Sequence, residues 1–145
     1  MAQLQVEFPD DLFKQLGKME DIEKHAPKMI DEALPILEDA LRSSYSGYGI
    51  AKKLKIVRAK KGKNGGYIGI ITMAGKTNTY YVKGKTRYPL SNAGLAVFLE
   101  YGTRAHGKFP ARPPGGYIAK AVAASHDQVA AKMQEVFERE TGVTE

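Results

Sequence analysis

Residues Ala93–Gly116 read AGLAVFLEYGTRAHGKFPARPPGG, and the fold turns on how this stretch is read. Its first part is apolar on alternate positions: Leu95, Val97 and Leu99 against Ala96, Phe98 and Glu100. Period-two alternation with both sides mostly apolar predicts a strand central in its sheet. Tyr101-Gly102-Thr103 breaks the run. Thirteen residues follow, Arg104 to Gly116, with three prolines, three glycines, two arginines and a lysine. A long loop with so little apolar surface is functional or disordered in a compact domain. The expectation is a loop over 102–116 that becomes ordered against a partner.

Working outward toward the N-terminus, short strands with short turns are expected. Lys52–Ala59 alternates, with Leu54, Ile56 and Arg58 facing one way and Lys53, Lys55, Val57 and Ala59 the other. Lys60–Gly66 carries the Asn-Gly and Gly-Gly signals of a tight connection. Tyr67–Met73 returns as an apolar strand, Thr79–Val82 is a third, and Ala93–Tyr101 is the fourth. Sequential strands of this kind form an antiparallel sheet.

The flanks read as helices. From about Glu20 to Ser44, apolar residues from Ile22 to Leu41 recur at three- and four-residue steps. Pro27 is expected to open this helix and Pro35 to kink it. Tyr117 starts the last helix, with Ile118, Ala121, Val122, Val129, Met133, Val136 and Phe137 on one face and Ser125 in the same stripe. Residues 1–9 suit an arm or an edge strand. The fold class expected for residues 1–145 is therefore one α+β domain. It has an antiparallel sheet of about four strands, with a kinked N-terminal helix and a C-terminal helix packed on it.

Charge is strongly segregated. The net charge of +6 divides as −6 over residues 1–41, +14 over 42–112 and −2 over 113–145. Glu100 is the single acid in the middle segment. A field this concentrated attracts anionic partners, whether nucleic acid or another subunit's acidic surface. The chain has no cysteine, which excludes disulfides, thiolate metal sites and cysteine nucleophiles. No apolar run approaches the ~18 residues of a membrane span, and no secretory signal is expected at the N-terminus.

Sites of chemistry are scarce. Gly75-Lys76-Thr77 resembles the end of a phosphate-binding loop, but Ile70 stands where the first glycine belongs. His25, His106 and His126 lie far apart with no metal-ligand spacing. No nucleophile elbow is present. No enzyme, cofactor or metal is expected. Glu100 reads as a structural ion pair with Arg104, Arg112 or a strand lysine, or else as a pin for the loop or a subunit contact. Lys52, Lys53, Lys55, Arg58, Lys60, Lys61, Lys63, Lys83, Lys85 and Arg87 form a basic surface suited to a subunit or to DNA. Interleaved tyrosines would add stacking.

Two short motifs, Phe98-Leu99-Glu100-Tyr101-Gly102-Thr103 and Pro110-Ala111-Arg112-Pro113, carry a resemblance. Together with the order of parts, they resemble the bacteriophage minor tail-component family, the neck or tail-completion proteins of long-tailed phages. After the second proline, Pro114-Gly115-Gly116-Tyr117 stands in place of the phenylalanine and further apolar residue of that pattern. The resemblance implies a non-enzymatic virion protein, present in the host cytoplasm during assembly. It would form a ring of six at the head–tail junction and contact other neck or tail proteins. The loop residues Glu100, Tyr101, Arg104, His106, Lys108 and Arg112 are then the expected partner contacts. The rival reading is a sequence-independent nucleic-acid-binding protein that uses the basic strands.

Overall fold

The computed structural model describes residues 22–108 and 110–142. The expected N-terminal arm and the first residues of the helix expected from about Glu20 lie outside the described residues. Within them the protein is α+β. Helix α1 spans Ile22–Ser44. A 3-10 turn, Gly49–Lys53, leads into β1 (Leu54–Lys61) and β2 (Tyr67–Met73). Strands β3 (Lys76–Lys83) and β4 (Thr86–Ser91) follow, then α2 (Asn92–Tyr101) and α3 (Tyr117–Thr141).

The stretch that opened the sequence reading is a helix rather than the fourth strand. Ser91 caps it, its hydroxyl accepting from the Gly94 N–H at 2.9 Å. Gly102 ends it at φ +75° and donates to the Phe98 carbonyl at 2.9 Å. Asn92, Ala96, Leu99 and Glu100 are buried at helical spacing, and Val97, Phe98 and Tyr101 are exposed. The stretch is apolar all round, so a period of two and a period of 3.6 fit it equally well. The capping serine decides.

The fourth strand is instead Thr86–Ser91, which lies between the expected third and fourth strands. Pro89 lies within it, opposite Tyr80, a residue that argues against central strands but is tolerated at an edge. The single four-stranded sheet is likewise replaced by two separate antiparallel pairs, β1–β2 and β3–β4. Asn92 makes the corner between them. It is buried, its side-chain amide donates to the Ala74 carbonyl at 2.6 Å, and its N–H donates to the Gly75 carbonyl at 3.1 Å. This peg turns the chain out of the first pair before it can continue the ladder.

Helix α1 begins at Ile22, before Pro27, and continues through Pro35. Pro27 lies only one turn in, so it removes a single hydrogen bond close to the free end. Pro35 is exposed, and because proline has no N–H it leaves the Asp31 carbonyl without its intrahelical donor.

Strand β1 contains a bulge. The pairing runs Ile56↔Ile71 and Val57↔Ile70, then jumps to Lys60↔Ile68. The extra residue switches the alternation, so Val57 and Ala59 are half-buried and Arg58 is exposed. The expected placement of Arg58 with Leu54 and Ile56 is corrected accordingly. The Ala59 N–H, beside the register shift, donates to Asp31 Oδ1 of α1 at 2.7 Å. On β2, Gly69 lies hard against α1. A Cβ there would overlap Ile30 Cγ2 and stand 2.8 Å from Leu34 Cδ1.

Helices α1 and α3 run antiparallel. Ser44 Oγ donates to the Tyr117 carbonyl at 2.7 Å at one end. Lys28 pairs with Glu140, and Glu32 with Arg139, both at 2.5 Å, at the other. The main core sits at the Ser44–Tyr117 end, where Leu41, Tyr45, Ile50, Ala51, Ala96, Leu99 and Ala121 meet. On α3, Ala121, Ser125 and Val136 are buried, whereas Ile118 and Val122 are exposed beside α2.

Candidate interaction surfaces

The loop expected to have no structure of its own is closed at its base. Thr103 and Arg112 exchange both backbone hydrogen bonds, at 2.9 and 2.8 Å. Gly115 N–H donates to the Leu99 carbonyl at 2.9 Å. Gly102 is required where the two arms cross, because a Cβ would collide with the Arg112 carbonyl and stand 2.8 Å from Pro113 C. Arg112 donates to the Tyr48 hydroxyl at 2.7 Å. Tyr48 lies edge-on to Tyr117, their hydroxyls 2.9 Å apart, and Tyr117 stacks on Tyr45 at 5.2 Å. The hydrogen bond to Tyr48 and burial both push the Tyr117 hydroxyl above its ordinary range. Burial, reinforced by the Glu100 charge, pushes Tyr45 up to about 12.

Glu100 forms no ion pair among the described residues. Its carboxylate is buried and caps α3, accepting from Ile118 N at 2.7 Å and Ala119 N at 3.2 Å. Gly116, the residue at the cap position, has no side chain to serve. The carboxylate thus supplies from α2 both the missing acceptor and a negative charge at the positive helix end. This corrects the ion-pair reading. Glu100 pins the end of the loop within its own chain.

The other loop residues divide. Arg112 belongs to the anchored base. Arg104, His106 and Lys108 are exposed around the tip, and Tyr101 is 74% exposed beside it. Lys52, Lys53, Lys55, Arg58, Lys60, Lys61, Lys63, Lys83, Lys85 and Arg87 are all exposed. The β1–β2 pair does pack on α1, but through apolar side chains and the Asp31–backbone bond. The acids of α1 are occupied largely by its own layer: Glu32 with Arg139, Glu38 and Asp39 with Arg42 at 2.7 and 3.2 Å. Their arginine and lysine partners hold Glu32 and Glu140 below the usual carboxylate range.

The interleaved tyrosines expected from the sequence form part of a wider apolar surface. Tyr80, Tyr81, Val82 and Tyr88 of the β3–β4 hairpin are 40–65% exposed. Tyr81 stacks on Tyr88 at 5.5 Å, and the Arg87 guanidinium lies 4.9 Å from the Tyr80 ring centre. The hairpin's own-chain support is α2, with Tyr81, Leu90 and Phe98 around one shallow hollow. Elsewhere, an open apolar recess of about 310 Å³ lies where α1, β1, β2, α2 and α3 meet. Leu41 and Ile71 line its floor; Val97, Ile118 and Val122 are exposed at its edge. A wider, more polar groove of about 640 Å³, lined by Asp39, Lys120 and Gln128 among others, runs between α1 and α3.

Among the described residues, no three of His, Cys, Asp and Glu gather to hold a metal ion, and no helix is long and apolar enough to cross a membrane. The chain matches no protein-family model, no curated protein and no solved structure.

Proposed function

We propose that this chain is a non-enzymatic structural subunit of the phage neck or tail-completion kind, assembling with copies of itself as a ring of six at the head–tail junction. The observation that carries the reading is the division of surface on one small domain. From Gly49 to Ser91 the chain has eleven bases and no acid, and all eleven are exposed. The two long helices are net acidic. Such a subunit attracts the next one head to tail, and a heterologous contact of this type closes into a ring when the rotation allows. The family-like residues support the reading with a division of labour. Leu99, Glu100, Gly102, Thr103 and Arg112 build the loop base, leaving Phe98, Tyr101 and the basic tip outside. On this reading the protein resides in the virion and, before that, in the host cytoplasm.

The test is the mass of the purified protein by sedimentation velocity, alone and with isolated tail tubes. Assembly beyond the monomer, weakening as salt rises, is expected. A monomer at every concentration, with or without tubes, refutes the proposal.

One observation favours a second reading. Arg87 over Tyr80, with Tyr81, Tyr88 and the lysines nearby, suits single-stranded nucleic acid held by charge and stacking. Binding of this type falls steeply with salt. Failure to retard an oligonucleotide at low salt removes it.

A further inference from the structure

We infer that the cleft between the 3-10 turn and the start of β3 is a binding site for a phosphate group. It forms where Gly49–Lys53, the first residues of β3 and the start of α2 come together. Its volume is about 380 Å³, within the ~300–1,000 Å³ of small-ligand sites. Backbone and side-chain hydrogen bonds hold the three segments in place. The Ala74 N–H donates to the Lys53 carbonyl at 2.8 Å, and Asn92 donates to the Ala74 and Gly75 carbonyls. Lys53 and Lys76 are thereby brought to one cleft, with Asn78 beside them. Tyr48, a further lining residue, holds Arg112 on its hydroxyl.

The charge in this cleft is of one sign. Among the described residues no acid lines it, and the sequence has none from Gly49 to Ser91. Neither the Lys53 nor the Lys76 ammonium has an acceptor among the described residues. Ile50, buried, and Leu95, half-buried, give the cleft an apolar backing. A concave wall of low polarity lined by one sign of charge concentrates the field and draws in anions.

The donor set selects phosphate over carboxylate. Lysine meets an anion as a point charge and is a common phosphate ligand, whereas planar carboxylates match the arginine fork. Two ammoniums balance a phosphate dianion, and the Asn78 amide offers a further donor. Lys76 belongs to Gly75-Lys76-Thr77, which lacks the first glycine of a phosphate-binding loop. The fold gives that lysine a different setting, the start of a strand instead of a helix. The Thr77 hydroxyl is committed to the Leu90 carbonyl at 3.0 Å. The lysine alone carries over, paired here with Lys53. Free phosphate and the phosphodiester of a nucleic acid share this chemistry. The inference does not depend on the ring, because one subunit carries the whole cleft.

NMR amide spectra of the isotope-labelled full-length protein test it. Inorganic phosphate and a thymidine oligonucleotide are each titrated in, with acetate at matched ionic strength as the control. Saturable shifts at residues 53 and 76–78 are expected with phosphate and absent with acetate. K53Q/K76Q should weaken binding by roughly tenfold or more, the effect of losing charge-assisted hydrogen bonds. K63Q, a like change of charge at the β1–β2 turn, should alter it by less than about twofold, because solvent screens distant charges. Both cleft lysines are exposed, so thermal unfolding of the double variant should match the parent. Shifts with phosphate alone assign the cleft to a free phosphate. Oligonucleotide shifts at the same amides assign it to a nucleic-acid backbone. Three results overturn the inference, whether or not the protein assembles. They are no saturable shift at these amides with either probe, equal shifts with acetate, and undiminished affinity in K53Q/K76Q.

Discussion

Replacing Glu100 with alanine should reduce stability by about 2–3 kcal/mol. The carboxylate serves two N–H groups at the start of α3. Hydrogen bonds to a charged acceptor contribute ~1.5–3 kcal/mol each, and loss of a cap costs ~1 kcal/mol. Ile118 and Ala119 are exposed, so water can reach part of what is lost and the sum stays below two full bonds. For a chain of 145 residues this corresponds to roughly 6–10 °C in midpoint. E100Q keeps one acceptor oxygen and should cost about half as much. Thermal and urea unfolding measure the totals, and hydrogen exchange at residues 118 and 119 reports the site. R104A should change stability by less than ~0.5 kcal/mol, because Arg104 is exposed. R112A breaks the contact with Tyr48 and should add to E100A within ~0.5 kcal/mol. Two results refute the capping account: an E100A variant within ~0.5 kcal/mol of the parent, or strong coupling between E100A and R112A. Coupling would restore the ion pair.

Three further perturbations follow from the geometry. G69A forces a methyl into Ile30 and Leu34 and should cost about 1–3 kcal/mol by calorimetry, through overpacking of β2 on α1. Tyr45 is fully buried and its hydroxyl has no hydrogen-bond partner among the described residues; Y45F should therefore be neutral or stabilising by up to ~1 kcal/mol, and a destabilisation instead would reveal a partner outside them. Glu32 and Glu140 have depressed pKa values; their contribution is complete above the unfolded value near 4.5 and disappears as pH falls below it. Acid titration of the unfolding midpoint should show that decline, and R139Q should flatten it.

The two long helices are legible from their apolar spacing, and β1 and β2 from alternation around an Asn-Gly turn. The sheet is not. Nothing local in YIGIITM announces that Asn92, nineteen residues after Met73, will peg the corner and end the ladder. Arg58 could not be placed, because a bulge changes the facing of the residues after it, and the Asp31 side chain that accepts from Ala59 beside it lies on another element. Glu100 stood out as a lone acid in basic sequence. Its role needed the knowledge that α2 is a helix whose end meets the start of α3. The basic surface could be read by counting charges. The apolar recess could not, since five separate elements contribute to it.

The antiparallel pairing of α1 and α3 gives the molecule a polarity. Residue 22 and residue 142 lie together at one pole, beside the Lys28–Glu140 and Glu32–Arg139 pairs. Ser44 and Tyr117 meet at the other. A helix of 25 residues is about 37 Å long, so this pole lies about that far from the loop base. Fluorophores attached at residues 24 and 142 should leave the loop base and the main core undisturbed, and should report on each other at short range.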